Sequence, residues 1–112
     1  MENKKVKILN GDINALYSNW HEIFTNIENE ELLVVELLHV KRVFNKFLKQ
    51  EINFKELRDW SSMVLFSDSY ILSNINKNIL LEVLHSIEEL QRWNEKSLED
   101  ITDKINRLLT NN

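Results

Sequence analysis

The chain has 112 residues, 18 of them acidic and 14 basic, for a formal net charge of −4; it has one glycine, no proline and no cysteine. That length makes a single domain able to bury about 65% of its unfolded surface, while the lack of proline and the single glycine, Gly11, which leave almost nothing to offer the φ > 0 positions of tight hairpins, argue for long helices and against an all-β fold. Missing cysteine removes disulfides, thiolate nucleophiles and cysteine zinc sites, and the acidic balance argues against nucleic acid as a partner, because phosphates must be neutralised by Lys and Arg.

The first residues, MENKKVKILNGDINA, contain no apolar run of signal-peptide length, and LLVV and MVLF are too short to span a bilayer, so no membrane contact and a cytoplasmic location are expected. Val6, Ile8 and Leu9 fit either an extended arm or a ragged helical lead-in. Projected at about 100° per residue, the remainder gives five helical stripes. The first covers residues 13–27 under an Asp12 cap, with Leu16, Tyr17, Trp20, Ile23, Phe24 and Ile27 on one side. The second covers residues 30–49, with Asn29 as its cap. Its apolar side is wide (Leu33, Leu37, Val40, Val43, Phe44, Phe47, Leu48), as a central helix with two neighbours requires.

A third helix is predicted over residues 54–67, with Leu57, Trp60, Val64 and Leu65 inward. Asn53 is its cap and Glu56 sits at the position that reaches back to the cap. The fourth stripe, over residues 77–93, is Ile79, Leu80, Val83, Leu84, Ile87 and Leu90. The fifth starts at Ser97, with Asp100 at the capping-box position and Leu98, Ile101, Ile105, Leu108 and Leu109 on a narrow seam. The predicted fold is all-α: a single antiparallel bundle of four to five helices over residues 1–112. Its expected core is Leu16, Trp20, Phe24, Leu37, Val40, Phe44, Phe47, Leu57, Trp60, Val64, Leu84, Ile87, Ile101 and Ile105.

Residues 44–60, FNKFLKQEINFKELRDW, join a Phe-Leu helix end to a short polar turn with an Ile, a small polar cap, then Glu-Leu and a Trp. This pattern resembles the small all-helical bacterial immunity proteins of the colicin D and contact-dependent inhibition type, antidotes to nuclease toxins. Weaker similarity continues through Trp60-Ser61-Ser62 and Phe66-Ser67-Asp68. Gln50 stands where the pattern would have Gly, and Asn53 where it would have Ser. The resemblance implies a protein without catalysis that binds one basic nuclease toxin domain, of RNase or tRNase type, and holds it inactive.

Three groups of acids stand out, and the second and third are the candidates for such a contact. Glu28, Glu30 and Glu31 lie at the first interhelical turn. Glu88, Glu89, Glu95, Glu99, Asp100 and Asp103 run from the fourth helix into the fifth and are only partly compensated by Arg92 and Lys96. Glu56, Asp59 and Asp68 belong to the stretch that carries the resemblance; Asp68, like Glu36, falls on an otherwise apolar arc, with Lys41, Arg42 or Arg58 as conceivable partners. Trp93, beside Gln91, Arg92 and Asn94 at the margin of its stripe, is a candidate exposed anchor. A helical adaptor for another bacterial protein would show the same features.

A di-iron carboxylate enzyme is a further alternative, because Glu36-Leu-Leu-His39 and Glu82-Val-Leu-His85 have its Glu-x-x-His spacing. Glu82 and His85 project away from their stripe, however, and Glu22 lies opposite Trp20 and Phe24, so solvated Glu-His neighbours are expected and no metal. His21, His39 and His85 lie on separate helices without a nucleophile nearby, and Gly11 alone cannot build a phosphate loop. No catalytic residue and no cofactor are expected.

Overall fold

The computed structural model of the chain describes residues 3–89 and 95–110, the side chains of 95–98 and 101 excepted. The N-terminal residues form a helix, α1 (Lys4–Leu9), because Asn3 caps it, its Oδ1 accepting the N–H of Lys5 at 2.7 Å. Gly11 then turns the chain at φ +88°, where a Cβ would sit 3.1 Å from Cγ2 of Val43. Asp12 caps α2 (Ile13–Ser18) by accepting from Ala15 N at 3.0 Å. The single helix predicted over residues 13–27 is interrupted at Asn19, whose backbone leaves the helical region at φ −123° and ψ 19°, into α2 and α3 (Trp20–Thr25); the Asn19 backbone N–H and side-chain amide both donate to the Ala15 carbonyl, at 3.1 and 2.9 Å. Asn26, at φ 51°, ends α3 in the left-handed conformation.

The largest departure from the predicted all-α bundle follows. Asn29 does not cap a helix; it sits at φ 52° in a turn, and Leu33–Val35 is a strand, β1. Its parallel partner is β2 (Tyr70–Leu72), in register Leu33↔Tyr70, Val34↔Ile71 and Val35↔Leu72. Between them run α4 (Leu37–Leu48) and α5 (Phe54–Phe66), the crossover that parallel pairing demands. The β-branched pair Val34-Val35 favours extended backbone, and Glu36 starts the helix seven positions later than residue 30 would. The chain ends with α6 (Lys77–Glu88) and α7 (Glu95–Thr110). The fold is therefore mostly helical, with seven helices and one two-stranded sheet among the described residues, in place of four to five helices and no sheet. Helix is already present at Glu95, so Ser97 lies inside α7 and Asp100 is not its capping-box residue.

The centre of the molecule is α5, not the helix before it; α5 packs against α2, α3, α4, α6 and β2. Leu57, Trp60, Ser61, Met63 and Val64 are all buried, and the small Ser61 lets α6 approach while its Oγ donates to the Leu84 carbonyl at 2.8 Å. Of the expected core, Leu16, Leu37, Val40, Phe44, Leu57, Trp60, Val64, Leu84, Ile87 and Ile105 are buried. Trp20, Phe24 and Phe47 pack at its margin, with Trp20 stacked on Phe24 at 5.6 Å. The side chain of Ile101 lies outside the described residues. Tyr17 and Ile27, expected on the first apolar stripe, are exposed because the kink at Asn19 and the end of α3 turn them outward.

Buried polar bonds tie the early elements to this centre. Trp60 Nε1 donates to the Ile8 carbonyl at 2.7 Å, and Tyr70 Oη to the Lys5 carbonyl at 2.7 Å. Burial pushes the Tyr70 phenol well above its ordinary pKa, so it stays a donor. The buried Lys5 ammonium donates to the Glu31 carbonyl at 3.1 Å and lies 3.6 Å from Glu30 Oε2. Ser69 Oγ donates to the Ile23 carbonyl, and the Asp68 N–H to the Phe24 carbonyl at 2.9 Å, so the serine-rich end of α5 fastens α3 beside the sheet.

Candidate functional site

The turn between α4 and α5 closes as its residues dictate. Gln50 takes φ 63°, its N–H donating to the Phe47 carbonyl at 3.0 Å and the Glu51 N–H reaching back to the Lys46 carbonyl at 2.9 Å. This is the left-handed helix end that glycine ordinarily occupies. Ile52 is buried beneath it, and Asn53 and Glu56 form a reciprocal cap: Asn53 Oδ1 accepts the Glu56 N–H at 2.8 Å, and Glu56 Oε1 accepts the Asn53 N–H at 2.9 Å.

Glu56 is engaged in that cap and shares a depression with Asp12, Glu51 and Lys46, while Asp59, one helical turn further on, is engaged by other partners. Asp59 accepts from Tyr17 Oη at 2.7 Å and Lys55 Nζ at 2.9 Å, with Arg58 at 3.9 Å. Partial burial works against its charge, but the hydrogen bonds from Lys55 and Tyr17 and the two cations outweigh it and hold the carboxyl below its ordinary pKa. Asp68 is exposed, but it lies past the far end of α5, a helix of 13 residues and so about 20 Å from Glu56. The structure does not bring Glu56, Asp59 and Asp68 together. The acids of the first turn are also partly compensated: Glu28 and Glu30 share a depression with Lys4, Lys5 and Lys7, and Glu22 pairs with Lys4 at 3.1 Å.

The two Glu-x-x-His motifs are engaged separately. Glu36 is the N-cap of α4 and not a helix-interior residue; its N–H donates to His39 Nδ1 at 2.9 Å, the other half of a capping box. Burial pushes the His39 imidazole below its ordinary pKa; Glu36 opposes this and Arg42 adds to it. Glu82 pairs across to Lys104 on α7 at 3.4 Å, so Lys104 serves Glu82 where i,i+4 spacing would have given it to Asp100. His85 Nδ1 lies 3.9 Å from Glu88 and its ring meets the edge of Phe66. Among the described residues, no three His, Asp or Glu side chains converge as a metal site.

The remaining acids are on and near α7. Glu88 has its local partner in His85, and Glu89 is exposed past the end of α6. Trp93 lies outside the described residues, as does the side chain of Glu95. Glu99, Asp100 and Asp103 are exposed, and none forms an ion pair with another described side chain. Glu99 and Asp103, one turn apart, line a groove of about 500 Å³ with Thr102 and with Phe47, Leu48 and Gln50 of the α4 end. Asp100 and Asp103 also border Asn106 and Arg107. The two sequence signals, the α4–α5 turn and the C-terminal acids, thus meet at one place. Phe47, Leu48, Gln50 and Thr102 were not candidates for the site. In the sequence Phe47 and Leu48 read only as part of the wide apolar side of the second helix, and no sequence signal sets them apart as site residues.

No helix among the described residues is long and apolar enough to cross a membrane. The chain matches no protein-family model, no curated protein and no solved structure at a significant level.

Proposed function

We propose that the chain is an immunity-type protein of the cytoplasm that binds a basic nuclease toxin domain, of RNase or tRNase kind, through the acidic face of α7 and holds it inactive without chemistry of its own. One observation carries this: Glu99, Asp100 and Asp103 stand exposed together on one helix, beside the α4–α5 turn whose sequence resembles that of such antidotes. A nuclease cleft must be basic to hold phosphates, and carboxylates fixed on a helix offer it a substitute anion that also speeds encounter. Glu89, Glu95 and Trp93 adjoin this face in sequence and extend the candidate contact. Mixed charge at the first turn and internal pairing of Asp59 make those acids weaker candidates.

Co-expression with the toxin domain encoded beside this gene tests it. Cells carrying the intact chain should survive, and cells carrying a Glu99→Lys, Asp100→Lys, Asp103→Lys variant should die. Equal death with and without the intact chain would leave the helical-adaptor role, which predicts no protection.

A further inference from the structure

The groove beside α7 continues along α4. A second depression, of about 520 Å³, is lined by Leu38, Lys41, Arg42, Phe44, Asn45 and Leu48 of α4 and by Asn106, Leu109 and Thr110 of α7. Leu48 borders both depressions. Because the start of α4 faces the end of α7, and the end of α4 faces Glu99 to Asp103, the two helices run antiparallel and the groove follows them for about 16 Å, the rise of α7 from Glu99 to Thr110.

Two properties of this groove belong together. Its rim is apolar and open: Leu38 is 59% exposed and Leu48 44%. Its charge is polar along its length, with Glu99 and Asp103 at one end and Lys41 and Arg42 at the other. Arg42 uses one guanidinium nitrogen on the neutral Asn10 amide at 2.6 Å and forms no ion pair with a described carboxylate. Lys49, at the C-cap of α4 near the acidic end, forms no ion pair with Glu99 or Asp103.

A surface with acid at one end, base at the other and leucine between is complementary to itself under a two-fold rotation perpendicular to the groove. We infer that the α4–α7 groove is a homodimer interface in which Glu99 and Asp103 of each copy face Lys41 and Arg42 of the other, with Leu48 and Asn45 of the two copies near the axis. The contact goes beyond the toxin reading and uses two of the same acids, so on that reading the monomer is the form that binds toxin.

Sedimentation velocity over a concentration series on the full chain tests it without any toxin. The wild type should pass from monomer to dimer, less readily in high salt. Glu99→Lys with Asp103→Lys makes both ends basic, and Lys41→Glu with Arg42→Glu makes both ends acidic. Since the symmetry repeats every clash, each variant should self-associate at least about tenfold more weakly, and the two mixed together should form a heterodimer. Circular dichroism checks that both variants remain helical, and the wild-type result counts whether or not they do. A wild type that stays monomeric at every concentration overturns the proposal and leaves the groove to a different chain. Helical variants that ignore one another when mixed also overturn it, and cell protection against the toxin is decided separately from either result.

Discussion

The two halves of the long predicted second helix teach different things. From Leu37 to the Asn53 cap every structural decision is made by residues within one or two turns: an apolar stripe, a left-handed Gln50, a buried Ile52 and a reciprocal Asn53–Glu56 cap. From Asn29 to Val35 the decision is made 37 positions away, because Leu33 is a strand residue only when Tyr70 is beside it. Helical periodicity projects the second segment as readily as the first, since apolar residues at 32, 33, 34 and 35 fit any period. Local hydrogen bonds can be read from a sequence; a parallel pair held by a crossover cannot.

Outside both regions, Trp60 joins α5 to α1, its side chain fully buried while its Nε1 donates to the Ile8 carbonyl. Trp60→Ala should therefore have the largest effect, a loss of about 3–5 kcal/mol in urea unfolding. Amide exchange should rise first in α1. Equal loosening of all elements would show that α1 is not separately fastened through this residue.

Asn53→Ala acts only on the local region. Loss of the cap should cost about 1 kcal/mol, with no change in exchange at Leu33–Val35. A loss several times larger would mean that the turn also governs the sheet.

Gln50→Gly sharpens the same comparison in the opposite direction. At φ 63° a glutamine is strained and glycine is not, so the substitution should stabilise the protein by about 0.5–1 kcal/mol despite the greater freedom of the unfolded chain. A thermal melt that shifts downward would show that the Gln50 side chain, which lines the acidic groove, makes a contact worth more than the strain.

The smallest effect belongs to the boundary between the two regions, the Glu36–His39 cap. The imidazole accepts a hydrogen bond there and its pKa in the folded protein is depressed by burial. The unfolded chain thus takes up the proton first. Its contribution is fully present above the ordinary histidine pKa of about 6.5 and is lost as pH falls through the lower folded value. His39→Gln should flatten that part of the stability profile; an unchanged slope would assign it to other groups.

The same division explains which part of the candidate site was legible. Glu99, Asp100 and Asp103 could be chosen from sequence because they share one helix, and helical spacing keeps them neighbours. Glu56, Asp59 and Asp68 share a stretch of sequence but not one uncommitted surface: Glu56 closes a cap, Asp59 accepts from Tyr17 and Lys55, and the length of α5 sets Asp68 apart. Neither Tyr17 nor the partnership of Lys104 with Glu82 is visible without the tertiary fold, because both are contacts between elements far apart in the chain. The kink at Asn19 had a local sign, an asparagine inside a helical stripe, and the strand had one in its paired valines. Both signs were weaker than the periodicity they interrupted.

Calorimetric titration of the neighbouring nuclease toxin domain into the purified chain tests the central claim most directly, using the wild type, the α7 variant Glu99→Lys, Asp100→Lys, Asp103→Lys, and Asp68→Lys at the far end of α5. Binding should be tight and weakened by salt for the wild type and Asp68→Lys, and reduced at least about a hundredfold in the α7 variant, as truncating charges in a contact costs about 2–5 kcal/mol each. Full affinity in the α7 variant, or loss of affinity in Asp68→Lys alone, would contradict an acidic α7 interface.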